Sequence, residues 1–520
     1  MDLLAHLSLG FGTALTAVNL GHALIGCLLG TLIGVLPGIG PLATIAMLLP
    51  LTYALEPVTA LIMLAGIYYG AQYGGSTTAI VVNLPGEASS IVTTIDGYQM
   101  ARQGRAGIAL AVAAIGSFFA GCVATLAIAA LAQPLSQLAL VFGPREYFSL
   151  MVLGLLLAVA LASGPLLEGI GMVVVGMLLS LIGTDALSGV QRFSFDIPQL
   201  YDGLDFVPLS VGIFGFAEIV RNLKAGGDRP PIAATIAGLM PARADLARAI
   251  PAILRGTGVG TVLGALPGGG AAISAFVAYA LEKKLSRYRA EFGRGAIEGV
   301  ASPEAANNAG AQTSFIPLLT LGLPANAVMA LMVGAMTIHD IQPGPQVMTR
   351  NPELFWGLIA SMWIGNLMLV VLNLPLVGLW VRLLTIPYRF LYPAIMVFCA
   401  IGLYSLKSDS FEIYEAALAC LVGYLLAWLE LPVAPLLLGF VLGPALEESF
   451  RRAMLLSRGD IGVFLVSPLS AGLLALATAA LLATLWPRRR AGSPDLPQPD
   501  LCRSGAGRQG ARTNDIEDGR

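Results

Sequence analysis

The chain has 520 residues, 56% of them hydrophobic and 12% charged, with a formal net charge of −2 and a mean hydropathy of +0.80. Soluble domains carry roughly 25% charged residues, so this composition excludes a soluble globular protein, and the charge balance excludes the general basic footprint of a nucleic-acid binder. Apolar runs fill most of residues 14 to 486, enough for about ten or more helices at ~20 residues per span, and predict an all-α polytopic protein of the lipid bilayer.

No Lys or Arg precedes Arg102. The N-terminal region therefore lacks the basic stretch of a secretory signal peptide, and its first apolar segment is expected to be retained. That segment, residues 14 to 36, runs into a break within Gly30 to Gly40, GTLIGVLPGIG. Proline removes a helix donor, and backbone groups freed at membrane depth are tolerated only where protein buries them or they line a cavity. Pro41 to Leu51 is a shorter apolar piece, closed by Pro50 and Glu56-Pro57, and too short to cross alone. Val58 to Tyr69 begins a helix whose apolar character stops at Gly70. The next stretch reads as a second broken helix carrying hydroxyls and amides: Gln72 to Thr78, Asn83 to Ser90, and Thr93-Thr94. Asp96-Gly97 signals a turn, and Arg102 and Arg105 mark a cytoplasmic loop. Helices near 106–132, 147–162, 166–184 and 204–222 complete a first membrane repeat, residues 1–222.

Residues 223–255 read as a cytoplasmic linker, with Gly226-Gly227-Asp228, Pro230-Pro231 and a basic run that begins at Arg221 and includes Lys224, Arg229, Arg243, Arg248 and Arg255. The second repeat, 256–486, opens with Gly256 to Leu281. Within it Gly260 to Gly270, GTVLGALPGGG, restates the first motif 230 positions later. Lys283, Lys284, Arg287, Arg289 and Arg294 come next, so both flanks are expected on the cytoplasmic side. As one helix these 26 residues would measure ~39 Å, enough to cross once but not to return. A re-entrant hairpin with its tip at Pro267 to Gly270 meets both constraints. The first-half equivalent, 17–56, has no basic flank. Entry from the opposite side makes the halves inverted-topology repeats with broken helices and re-entrant hairpins, and a parallel duplication is the alternative. Gly310 to Ala327 aligns with Gly74 to Ala88, placing Thr313-Ser314 on Thr77-Thr78 and Leu323-Pro324 on Leu84-Pro85 after a three-residue insertion. It is preceded by Glu298 to Asn308, rich in small and amide residues. Further apolar segments lie near 354–383, 391–406, 412–428, 433–443 and 461–486. Arg488 to Arg490 then stop transfer, and 487–520 is expected to be a disordered cytoplasmic tail.

Asn83 to Gly107, NLPGEASSIVTTIDGYQMARQGRAG, the paired LPGxG motifs, Phe292 to Pro324 and Arg451 to Asp460 resemble the large membrane subunit of the tripartite tricarboxylate transporters, the TctA-type proteins, from about residue 11 to 486. The resemblance implies uptake of a carboxylate across the bacterial inner membrane. It also implies two partners: a small membrane subunit of four-helix type and a periplasmic solute-binding protein that delivers the substrate. Where that family commonly has glycine after the second Leu-Pro, this chain has Ala325.

A di- or tricarboxylate site needs compensating positive charge, yet no Lys or Arg lies in the four broken segments. Helices restarting after Pro37-Gly38 and Pro267-Gly268 offer free N–H groups and positive dipole ends. Gly38, Gly40, Gly86, Gly268 and Gly270 are the candidate backbone positions. Ser76, Thr77, Thr78, Asn83, Asn307, Asn308, Thr313 and Ser314 are candidates for directed hydrogen bonds. For coupling, backbone carbonyls near Pro37, Pro85, Pro267 and Pro324 are candidates to hold co-transported Na⁺, and Glu87, Glu304 and Gln312 to serve a cation or proton. The competing readings are structural: transmembrane Ser and Thr commonly bond their own helix, and Glu87, after Pro85-Gly86, and Glu304, after Pro303, suit helix N-caps. Asp340 and Glu56, Glu168, Glu218, Glu430 and Glu447 fall near expected helix ends. No cofactor or enzymatic activity is expected. There is no P-loop, and His6, His22 and His339 form no HExxH. Cys27, Cys122, Cys399, Cys420 and Cys502 show no CxxC spacing. The expected function is secondary active transport with an elevator-like movement; a passive anion channel and a membrane scaffold are the alternatives.

Overall fold

Two early segments carry a glycine every fourth residue, Gly26, Gly30, Gly34 and Gly66, Gly70, Gly74, a spacing that puts each set on one helix face. In the computed structural model these faces meet. The structure describes residues 3–36, 40–83, 85–139, 141–161, 165–185, 188–217, 219–220, 238–266, 270–383 and 391–485. Pro37, Gly38, Glu218, Pro267, Gly268, residues 223–237 of the expected linker, the expected tail and Cys502 lie outside them.

The principal helices of the first half are Leu3–Ala14 (α1), Ala17–Val35 (α2), Pro41–Thr52 (α3), Pro57–Val82 (α4), Ile91–Arg102 (α5), Ala106–Ala139 (α6), Pro144–Leu161 (α7), Leu166–Ser180 (α8) and Phe206–Phe216 (α9). Those of the second are Arg243–Gly264 (α10), Gly270–Leu285 (α11), Glu298–Thr313 (α12), Ala327–Ile338 (α13), Pro352–Asn373 (α14), Leu391–Lys407 (α15), Phe411–Trp428 (α16), Val433–Leu456 (α17) and Pro468–Leu485 (α18). Five helices of the described residues are long and apolar enough to cross a membrane: α2, most of α6, α14, α16 and α17.

α2 and α4 pack backbone to backbone. A Cβ at Gly26, Gly30 or Gly34 would meet the carbonyl oxygens of Met63, Ile67 and Ala71 inside 3.0 Å, and one at Gly70 or Gly74 would meet those of Cys27 and Thr31 as closely. The second half repeats the arrangement. Gly256, Gly260 and Gly264 of α10 press on the carbonyls of Ser302, Ala306 and Gly310 of α12, again leaving no room for a Cβ. The glycine triplets lie 230 positions apart, the offset of the Pro-Gly motif, so the duplication extends from the motif into the packing. Small residues at such seams admit close contact without a hydrophobic driving force.

Several boundaries differ from the sequence expectation. α4 runs unbroken through Gly70 to Thr78, because Ser76, Thr77 and Thr78 each donate to the carbonyl one turn back, at 2.9, 3.3 and 3.3 Å. The break falls at Asn83, left-handed at φ 60°. Asp96-Gly97 is not a turn but lies inside α5. The carboxylate of Asp96 accepts the backbone N–H groups of Gly293, Gly295 and Ala296 at 2.8–2.9 Å and the Tyr279 hydroxyl at 2.9 Å. α10 starts at Arg243 rather than Gly256, within the basic stretch. Arg248 pairs with Glu298 and Glu291, and Arg255 with Glu282, so these cations hold α10 to its neighbours. α17 continues past its apolar end at Gly443, through Pro444 to Leu456. This continuation is pinned by charge: Arg451 reaches Asp185 at 2.9 Å, and Arg192 of a short hairpin (β1, Gly183–Thr184; β2, Gln191–Arg192) reaches Glu447 at 3.0 Å. Glu447 is therefore mid-helix, not near an end.

Gly30→Val is expected to destabilise the α2–α4 seam by about 1–3 kcal/mol through overpacking. Gly12→Ala, whose Cβ would meet nothing within 4 Å, serves as the control that leaves stability unchanged or slightly raised. Thermal unfolding of the detergent-solubilised protein reads both.

A candidate carboxylate cavity where four helices restart

After each break the chain must restart a helix, and four restarts line one cavity of about 720 Å³. Gly40–Ala43 open α3 and Gly270–Ile273 open α11, each directly after a copy of the Pro-Gly motif. Pro85–Ser89 precede α5 and Ala325–Val328 open α13, after the second break of each half. The opposite wall is apolar and comes from α7, α9, α16 and α17, with Phe214, Gly423, Ala427 and Leu438 among its residues. Among the described residues no Lys or Arg lines the cavity, and the ionisable ones that do are Glu87 and Tyr68.

The four restarts are two kinds. Glu87 and Asn326 occupy equivalent positions, two residues after Pro85 and Pro324, and share one extended backbone, φ/ψ −150°/171° and −155°/177°. Both are N-caps. Asn326 accepts Met329 N–H at 3.0 Å and donates to Ser314 Oγ at 3.1 Å. Glu87 forms a capping box with Ser90 and accepts the Ser89 hydroxyl. By contrast, the N-cap of α3 is Gly40, which has no side chain to spend, and α11 starts at Gly270 with φ 60°. The first turn of α3 therefore carries the dipole's positive end at the cavity without a side-chain cap, and the first turn of α11 lines the same cavity. Gly86 is pressed against Gly34 O and stands 2.6 Å, at an added Cβ, from Gly75 Cα. Its counterpart Ala325 is buried in the lining with its methyl accommodated, so the two halves are not identical here.

Of the residues singled out by sequence, Gly40, Pro85, Gly86, Glu87 and Gly270 line this cavity. Ser76 and Thr77 instead line a separate void of about 20 Å³. Glu304 is mid-helix rather than a cap and 0% exposed; its carboxylate accepts Ser76 Oγ at 2.5 Å, Thr93 Oγ1, and Asn307 Nδ2 at 3.3 Å. Asn308 donates to Ser117 Oγ and Asn307 Oδ1 at 2.7 and 2.6 Å, and Gln312 accepts Thr125 Oγ1. Thr78 reaches across the seam to Val35 O at 2.9 Å, Thr313 reaches Gly260 O at 3.4 Å, and Ser314 bonds Gly310 O at 2.7 Å. These groups tie helices together in the interior. Pro324 is buried beside the cavity lining, and Asn83 caps α4 at an exposed position. Gly38 and Gly268 lie outside the described residues. Sequence reading passed over Tyr68, Gln72, Ser89 and Asn326 as site residues. The alignment of Leu84-Pro85 with Leu323-Pro324 already places Asn326 opposite Glu87 and was the signal available.

The model of the tripartite tricarboxylate transporter TctA family matches residues 20–438. This chain belongs to that family. The TctA match spans every residue that lines the cavity, from Gly40 to Leu438. The chain is 59% identical over 490 residues, 94% of its length and 98% of the relative's, to an uncharacterized 52.8 kDa protein in the TAR-I ttuC′ 3′ region of Agrobacterium vitis. It is 58% identical over 231 residues, 44% of its length and 96% of the relative's, to an uncharacterized protein in the TAR-II ttuC′ 3′ region of the same organism. No solved structure matches it. TctA proteins are a membrane transport family rather than an enzyme family, and their systems are tripartite, with other subunits and a binding protein.

Glu304→Ala strands three buried donors and is expected to cost about 1–3 kcal/mol or more, while Glu304→Gln, which keeps an acceptor oxygen, costs less. Urea or thermal unfolding of the purified TctA protein distinguishes the two.

Proposed function

We propose that this TctA protein is the translocating subunit of a secondary active transporter that takes up a di- or tricarboxylate across the bacterial inner membrane, driven by Na⁺ or H⁺. The observation that carries the reading is the convergence of helix restarts from both halves on one cavity whose described lining has no basic side chain. The N–H groups of Gly40, Leu42 and Ala43 at the uncapped α3 restart, and those of the Gly270–Ile273 restart, suit carboxylate oxygens. Glu87 at the cavity edge and Glu304 behind it are the ionisable groups available to a coupling cation or proton. A small membrane subunit and a periplasmic binding protein complete the system, and the binding protein selects much of the substrate.

In this reading the halves, 1–222 and 256–486, are inverted-topology repeats. The shorter apolar helices bring the membrane segments to ten or more, and the 223–255 linker and the 487–520 tail are cytoplasmic. The hairpins and their cavity face move past the apolar wall of α7, α9, α16 and α17 in an elevator-like step. Small residues on that wall, Gly423, Ala427 and Ala158, support such sliding.

The test is uptake of labelled citrate and C4 dicarboxylates into proteoliposomes holding the chain with its small subunit and cognate binding protein. Accumulation above equilibrium that requires an inward Na⁺ or proton gradient is expected; purely downhill flux under both gradients favours a passive anion channel, and no flux a scaffold. Ala271→Phe, which fills the cavity beside the α11 restart, is expected to lower uptake about ten-fold or more, equivalent to 1.4 kcal/mol of lost binding. Ala272→Cys is expected to be blocked by a thiol reagent and protected by substrate. Unchanged uptake in both variants removes the cavity from the transport path.

A further inference from the structure

The small void between α4, α6 and the end of α14 is not a packing fault. It holds about 20 Å³, and five polar residues line it: Tyr73, Ser76, Thr77, Ser117 and Asn373. That is room for one water-sized occupant and no more. Two of these lining residues, 4% and 6% exposed, each carry a buried polar atom without a partner: the Tyr73 hydroxyl and the Asn373 amide oxygen. The Asn373 nitrogen is already committed, to Leu369 O at 2.9 Å and Thr31 Oγ1 at 3.3 Å, so the atom left over is an acceptor. Buried polar groups are normally satisfied, and two orphans at one void point to a missing occupant.

The charge of that occupant is set by its neighbour. Ser76, on the wall of the void, donates to the carboxylate of Glu304, whose bonding partners are hydroxyls and an amide. None of the ion pairs among the described residues includes it. A carboxylate removed from water needs a positive charge or a proton. Hydroxyl and amide oxygens are hard, neutral ligands, and one acid balances one charge. A divalent or transition metal asks for more: no group of three His, Cys, Asp or Glu able to hold a metal exists among the described residues.

We propose that this void is a site for a single dehydrated Na⁺ ion, held by oxygens of Tyr73, Ser76, Thr77, Ser117 and Asn373 and balanced by Glu304. The proposal rests on the transport reading above and gives its coupling ion a place. Ser76 Oγ also donates to Gln72 O at 2.9 Å, and Gln72 lines the large cavity, where its side chain accepts the Ser89 hydroxyl. One turn of α4 thus joins the two sites, and Na⁺ in the void places a positive charge behind a cavity whose described lining has no basic side chain.

Equilibrium ²²Na⁺ binding to the purified full-length chain in nanodiscs, without carboxylate, tests this directly. Saturable binding of one ion per chain is expected, together with a thermal shift under NaCl that choline chloride at equal ionic strength does not reproduce. Tyr73→Phe, which removes one oxygen and keeps the ring, is expected to weaken Na⁺ affinity about ten-fold, Asn373→Leu to do likewise, and Glu304→Gln to abolish binding. Ala271→Phe retains wild-type Na⁺ binding even where it blocks uptake. Site-dependent Na⁺ binding in a chain that transports no carboxylate leaves the ion site standing and removes the substrate reading. No Na⁺ binding, or binding untouched by both Tyr73→Phe and Asn373→Leu, means that the void holds a water, and the proposal is overturned.

Discussion

The close approach of paired helix backbones is the constraint on which the rest of this molecule depends. In a bilayer the lipid tails are as apolar as leucine, so helices are not squeezed together by water, and contact has to come from shape and hydrogen bonds. Gly26, Gly30 and Gly34 against Gly66, Gly70 and Gly74 supply the shape in one half; Gly256, Gly260 and Gly264 against Ser302, Ala306 and Gly310 supply it in the other. With these seams closed, the chain leaving α2 or α10 has nowhere to continue as helix except through a break, and the restarts of α3 and α11 are delivered to a common space. Gly86, wedged against Gly34 and Gly75, shows how tightly the first seam sets the position of the loop that carries Glu87.

The interior hydrogen bonds build on these seams. Thr78 and Thr313 each reach across their own seam to a carbonyl of the facing helix. Glu304 draws in Ser76 and Thr93 from the other half, so the two halves share one polar centre. The cavity therefore has one wall bound by directed hydrogen bonds and another made of small and apolar side chains. That division gives the site a rigid polar face and a compliant greasy one.

Much of this was legible from residue order. The duplicated Pro-Gly motif, the restart of helices after it and the polar character of the Gln72–Thr78 and Asn307–Ser314 stretches all arise from local chemistry. The features that escaped reading depend on distant partners. Gly70 to Thr78 resembles a break because glycines and hydroxyls are poor helix formers, yet those glycines are the contact face and those hydroxyls bond back to their own helix. Asp96-Gly97 resembles a turn because nothing nearby reveals that the Asp96 carboxylate is claimed by Gly293, Gly295 and Ala296. α17 runs on past Gly443 because Asp185 and Arg192, far away in sequence, meet its charges. Asn326 as a cavity residue was within reach, since its alignment with Glu87 needs only the two Leu-Pro pairs.

The Asp96 contact also bears on how the protein is made. Its backbone partners lie 197 to 200 residues downstream, so when α5 leaves the ribosome the acid that will clasp the second repeat has nothing to hold. Thr93 and Ser76 wait on Glu304 in the same way. The first half therefore carries polar groups whose partners are supplied by the second. These contacts between the halves can close only after the second half has been synthesised.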